Sequence, residues 1–152
     1  MKKYLLTAII SIFICGAYAQ NINFLKATEQ HWVGGVCCSY GTTYIMYLES
    51  TDTLHFIHFD TIWIENKFFT EAATNNKLTN FKNVRKGKTT YSITASSFWK
   101  SNTDIDVHKV EEVSTIKPPR YKGKGCLIYY EGKQRRIISI PEFVLLSTLN
   151  YP

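Results

Sequence analysis

The feature that most constrains the fold is a period-two alternation of apolar and polar side chains. In residues 90–96, Tyr91, Ile93 and Ala95 fall on one face of an extended chain, and hydroxyl-bearing residues fall on the other. Successive side chains of a strand point to opposite sides, so this pattern predicts a half-buried strand. The chain is also rich in Thr, Ile, Tyr and Phe, which favour pleated sheets. No long amphipathic helix is predicted.

Similar segments rich in β-branched and aromatic residues recur along the chain, and together they predict a β-domain. They predict strands at residues 42–48, 54–59, 61–64, 78–84, 89–99, 106–116, 126–130 and 134–140. Short polar or glycine-bearing segments predict hairpins that join 42–48 to 54–59, 78–84 to 89–99, and 126–130 to 134–140. Pro141 favours a short helical turn through Leu146, and the alternative is an irregular apolar tail.

Seven or eight short strands at this spacing predict an all-β fold. A small antiparallel meander closed as a barrel or curved sandwich would hide the unpaired strand edges. We expect five residues in the core: Tyr91, Ile93, Ile128, Ile138 and Ile140. We expect three basic residues to be exposed at turns: Arg85, Lys86 and Lys133.

The beginning of the chain has the pattern of a secretory signal peptide. Lys2 and Lys3 precede an apolar run at residues 4–15, and Ala17 and Ala19 flank a site for cleavage before Gln20. We therefore expect a signal peptide at residues 1–19 and a single β-rich domain at residues 20–152. The apolar run is too short for a comfortable membrane span. We therefore expect the chain to be exported, either to the periplasm or out of the cell. Nucleic acid is not expected to be the natural partner of such a protein.

Charge is distributed unevenly between the two halves of the expected domain. Residues 20–81 have three bases and six acids, whereas residues 82–152 have thirteen bases and six acids, a net charge of +7. Basic residues at predicted turns are candidate contacts for an anionic glycan or lipid headgroup: Arg85, Lys86, Lys88 and Lys133. The alternative is that these residues only keep exposed turns soluble.

Three cysteines remain after the expected cleavage: Cys37, Cys38 and Cys126. In an oxidising compartment, Cys126 could form a disulfide with either Cys37 or Cys38 and leave one thiol over. Such a bridge would close a loop of about ninety residues and stabilise the fold by a few kcal/mol. The alternative is that all three are small buried hydrophobic residues.

No motif in the sequence identifies a catalytic centre, a metal site or a cofactor. Cys-x-x-Cys and His-x-x-x-His spacings are absent, and so are the common nucleophile and phosphate-binding motifs. The leading hypothesis is a small exported, non-enzymatic protein that binds a partner protein or an anionic ligand. The alternative is a cysteine- or metal-dependent enzyme centred on His31, Cys37 and Cys38.

Aromatic residues stand beside bases at three places: residues 98–100, 120–122 and 129–133. On the face of a sheet, this composition suits stacking on sugar rings. It also describes core aromatic residues beside surface lysines.

Overall fold

The computed structural model describes residues 22–35, 39–50, 56–71, 76–85, 88–100 and 117–152. Within these ranges the chain forms strands and no helix, which confirms the predicted all-β class. The ten strands in the described ranges are β1 (Ile22–Val33), β2 (Ser39–Ser50), β3 (Ile57–Ile64), β4 (Lys67–Thr70), β5 (Asn76–Arg85), β6 (Lys88–Lys100), β7 (Gly125–Glu131), β8 (Gln134–Ile140), β9 (Val144–Leu145) and β10 (Leu149–Asn150). The expected signal peptide and the predicted strand at 106–116 lie outside the described residues.

All ten strands belong to one curled, open sheet. Its order is β10-β1-β2-β6-β5-β4-β3-β7-β8, and β9 also pairs with β1. Most neighbours are antiparallel, while β4 is parallel to β5, and β9 and β10 are parallel to β1. The curl is consistent with the predicted barrel or curved sandwich, although either closure is more specific than the sheet itself.

The concave face of the sheet carries the main core. Register places Tyr91 of β6 opposite Leu48 of β2, and Ile93 opposite Met46. All four side chains are at least 96% buried. Ile138 and Ile140 also belong to this main core. The alternation predicted for β6 therefore corresponds to its buried face, because the apolar side chains of this alternation all point toward the main core.

The opposite, outer face carries a smaller buried cluster, made of Trp63, Cys126 and Ile128. Phe68, Tyr121 and Ile137 pack against it. Ile128 is thus buried as predicted, but on the other side of β7 from Leu127 and Tyr129, which belong to the main core. All five predicted core residues are buried.

Two of the three predicted hairpins are confirmed. β5 pairs with β6 from Asn76↔Ser97 to Arg85↔Lys88, and β7 pairs with β8 from Gly125↔Ile140 to Glu131↔Gln134. Gly132 at the second turn has φ 60°, a left-handed conformation that glycine adopts at little cost.

The predicted hairpin between residues 42–48 and 54–59 is wrong. β2 lies between β1 and β6, whereas β3 lies between β4 and β7. The prediction failed because it missed β1, whose apolar positions are interrupted by Lys26, Glu29 and His31. A bulge between Phe24 and Lys26 also breaks the alternation. With β1 on one side and β6 on the other, β2 has no free edge for β3.

The predicted helical turn at residues 141–146 is also wrong. The tail is extended, and Val144 and Leu145 form β9 along β1. The Leu146 amide donates to the Glu29 carbonyl over 2.8 Å, and the Tyr151 amide donates to the Val33 carbonyl over 2.9 Å. The tail therefore satisfies backbone groups of β1 that would otherwise form an open sheet edge, which a local helix could not do.

Candidate binding surfaces

The two basic hairpins turn at the same end of the sheet. Strand pairing runs antiparallel from β1 through β2 and β6 to β5, and from β4 through β3 and β7 to β8, while β4 and β5 are parallel. The β5–β6 and β7–β8 connections therefore both lie at the end where β1 begins. We call this the basic end and define it by five residues: Arg85, Lys88, Lys133, Arg135 and Arg136.

Acidic side chains partly balance the basic end. Lys88 Nζ lies 3.2 Å from Glu49 Oε2, and the Lys88 side chain is 59% exposed. Arg136 Nη2 donates to Gln134 Oε1 over 2.7 Å, and its Nε lies 3.9 Å from Glu131 Oε2. Lys133 and Arg135 are exposed. The free positive charge is therefore concentrated at the β7–β8 turn.

The remaining predicted anion contacts are described in part. Arg85 ends β5 and pairs with Lys88, and Lys86 lies outside the described residues. The predicted exposure of Lys133 at a turn is confirmed. Arg135 and Arg136, which form one basic group with Lys133 in the sequence, lie near the start of β8 at the same end.

His31 lies on β1 at the opposite end of the sheet and contacts two polar side chains. Its Nδ1 is 3.0 Å from Thr42 Oγ1, and its Nε2 is 3.5 Å from Glu29 Oε1. The strand register explains both contacts. His31 of β1 is the cross-strand partner of Thr42 in β2, and it lies two residues from Glu29 on the same face of β1. These contacts orient the imidazole ring at an exposed position.

Tyr44 of β2 is the cross-strand partner of Glu29 and shares this environment. Burial, together with smaller contributions from the nearby carboxylates of Glu29 and Glu65, raises the pKa of Tyr44 to about 12. The Tyr44 hydroxyl therefore keeps its proton at neutral pH and is available as a hydrogen-bond donor.

The enzyme hypothesis centred on His31, Cys37 and Cys38 stays a prediction, because both cysteines lie outside the described residues. Among the residues that the structure describes, no three His, Cys, Asp or Glu side chains are grouped so as to hold a metal ion.

Cys126 is a free thiol in the structure and is fully buried. It packs between Trp63 and Ile128 in the outer cluster. Burial raises the pKa of this thiol to about 11, against a smaller opposing effect of a hydrogen bond from the Trp63 backbone. The thiol is therefore protonated and poorly nucleophilic at neutral pH. This environment matches the interpretation of Cys126 as a small buried hydrophobic residue.

Three aromatic side chains meet on the outer face, and the sequence did not predict their meeting. Trp32 and Phe98 have ring centroids 5.8 Å apart with 24° between the planes. Tyr151 stands at 72° to Trp32, with 6.4 Å between the centroids. We call these three residues the aromatic platform. Phe98 is 45% exposed and Tyr151 is 55% exposed, so the platform faces solvent.

Other aromatic residues that stand beside bases in the sequence have structural roles. Tyr129 is fully buried in the main core, and Tyr121 packs against the outer cluster. The Tyr121 hydroxyl donates to the Glu65 carbonyl over 3.4 Å. Trp99 lies under the Lys67 ammonium, 5.5 Å from the ring centroid. Of the aromatic residues noted in the sequence, Phe98 alone belongs to the aromatic platform.

Comparison of the chain with models of known families, with curated proteins and with solved structures finds no match. In the described part of the chain, no helix is long and apolar enough to cross a membrane.

Proposed function

We propose that this chain is a small exported, non-enzymatic β-domain that binds an anionic glycan through the basic end. The observation that carries the proposal is the position of both basic hairpin turns at one end of the sheet. Basic residues from separate parts of the sequence then act on one ligand, and their potentials add. A glycan is accessible to an exported protein, whereas nucleic acid is not.

The sheet supports this proposal by holding the two turns on a common frame. We further propose that the sheet closes as a barrel, with the C-terminal tail bridging β8 and β1. The course of the tail supports the closure, because the chain leaves β8 at Ile140 and its Leu146 amide then donates to the Glu29 carbonyl of β1. A closed sheet would fix the spacing between the basic turns better than an open one, because it has no free edge.

The test is binding to an immobilised sulfated glycan at low and high salt. The basic-end variant replaces Lys88, Lys133 and Arg135 together with Ser. A basic side chain beside an anionic surface contributes about 1 kcal/mol, so three substitutions should weaken binding about a hundredfold at low salt. Raising the ionic strength to about 1 M shortens the screening length to about 3 Å and should abolish wild-type binding.

A matched control changes the same number of charges elsewhere. Lys117, Arg120 and Lys122 are exposed and precede β7, at the opposite end of the sheet from the β7–β8 turn. Their triple Ser variant has the same net charge as the basic-end variant and should retain most of the binding. Equal losses in both variants would show that only net charge matters. Vesicles that contain anionic lipid serve as a second ligand. If the protein binds these vesicles more tightly than the sulfated glycan, the ligand of the basic end is a membrane surface and the glycan proposal is wrong.

A further inference from the structure

The aromatic platform lies beside a row of uncharged polar side chains on the outer face. Cross-strand pairing aligns Trp32 with Gly41 and Gly41 with Phe98. The next row on the same face, two residues along each strand, consists of Gln30, Thr43 and Ser96. Two residues of a strand span about 7 Å, so the aromatic and polar rows are adjacent. We call Gln30, Thr43 and Ser96 the polar row.

Gly41 explains how the Trp32 ring comes so close to the backbone of the sheet. A Cβ atom at position 41 would stand 2.5 Å from Trp32 Cζ2 and 2.2 Å from the Ser97 carbonyl oxygen. The indole therefore occupies the space that any other residue at position 41 would need. The indole covers the backbone at Gly41, stacks with Phe98 and remains partly exposed.

The Trp32 and Phe98 rings are stacked with their planes 24° apart, and Tyr151 stands at 72° to Trp32. The exposed parts of Phe98 and Tyr151 offer aromatic surface to a ligand. The Tyr151 backbone is fixed by the hydrogen bond from its amide to the Val33 carbonyl. This arrangement is built before any ligand arrives, which lowers the entropic cost of binding.

We propose that the aromatic platform and the polar row together bind a sugar ring of a neutral glycan. A pyranose ring has an apolar face of C–H groups that stacks on aromatic rings, and hydroxyls at its rim that need hydrogen-bond partners. The aromatic platform supplies the stacking surface. The hydroxyls of Thr43 and Ser96 supply donors and acceptors, and the amide of Gln30, whose Nε2 donates to the Ser147 carbonyl over 3.0 Å, supplies its oxygen as an acceptor. None of the residues in the two rows is charged, which favours a neutral sugar.

This site is independent of the basic end. Ser50 lies nine positions after Gly41 in β2 and pairs with Thr89 beside the basic turn, so the two sites are about 30 Å apart. Binding at the platform should therefore be insensitive to salt and to the basic-end variant. Either proposal can fail without the other.

The experiment uses the whole exported chain and a panel of immobilised neutral glycans that includes glucans, mannans, galactans and chitin. We expect at least one neutral glycan to bind with little dependence on salt. Trp32→Ala and Phe98→Ala should each weaken that binding roughly tenfold, since one stacked ring contributes on the order of 1 kcal/mol. Trp32→Phe keeps a stacking surface and should retain most of the affinity.

Phe81→Ala is the matched control, because Phe81 is a 68% exposed aromatic residue on β5, outside the platform. Circular dichroism and melting curves establish whether each variant is folded. If Trp32→Ala does not fold, Phe98→Ala alone provides the test. The proposal is overturned if no neutral glycan of the panel binds, or if binding survives both platform variants. Self-association that Trp32→Ala abolishes, with no glycan bound, would assign the platform to a second copy of the chain.

Discussion

The environment of Cys126 makes a prediction that separates a buried thiol from a disulfide. Replacing this fully buried side chain with Ala removes one sulfur atom and leaves a small cavity between Trp63 and Ile128. Loss of a group of this size from a core costs about 1–2 kcal/mol of unfolding free energy. A buried thiol predicts the same loss with and without a reductant, because nothing covalent is broken.

A disulfide to Cys37 or Cys38 predicts a different pattern. The loss would be roughly 2–4 kcal/mol in oxidising buffer, and reductant alone would lower the stability of the wild type by a similar amount. Urea unfolding of the wild type, of Cys126→Ala and of the double variant Cys37→Ser/Cys38→Ser distinguishes the cases. For a buried thiol, Cys126→Ala costs the same in the double-variant background. A wild type that reductant destabilises would refute our interpretation.

The pH dependence gives an independent check on the same thiol. Its pKa rises from 9.0 to about 11 on folding, because burial disfavours the thiolate. The folded protein then binds the proton more tightly than the unfolded chain, so the associated stability is fully present below pH 9 and is lost as pH rises through 11. Wild type should therefore lose more stability than Cys126→Ala between pH 9 and 11. Parallel curves would contradict the burial.

Two further predictions concern the main core and the C-terminal tail. Ile93→Ala should lower the unfolding free energy by 2–5 kcal/mol because Ile93 is fully buried, whereas exposed Phe81→Ala should change it by less than about 0.5 kcal/mol in the same urea titration. Deleting residues 144–152 removes the hydrogen bonds of Leu146 and Tyr151 to β1 and should cost about 2 kcal/mol. It should also produce self-association in sedimentation experiments, since it exposes a strand edge; a monomer of unchanged stability would contradict the role of the tail.

Local sequence patterns predicted the elements that depend on neighbouring residues. The alternation in β6 predicted its buried face, and short turns predicted the β5–β6 and β7–β8 hairpins. β1 was missed because charged residues and a bulge interrupt its pattern, so its place is set by pairing with β2 over eleven registered positions. The extended tail after Pro141 was missed for the same reason, since only its pairing with β1 makes a strand of Val144 and Leu145.

The candidate sites also differ in whether local residues or the strand order determines them. Lys88 and Lys133 could each be predicted at a turn from local residues, whereas their position at the same end of the sheet follows from the order and direction of the strands. Trp32, Phe98 and Tyr151 could not be predicted to meet, because they come from β1, β6 and the tail, and only the order β10-β1-β2-β6 brings them together. Gly41 is the sequence feature that relates to this contact, because a glycine inside a strand often marks a place where another group approaches the backbone. The strand order that sequence patterns could not supply is therefore also what assembles the aromatic platform.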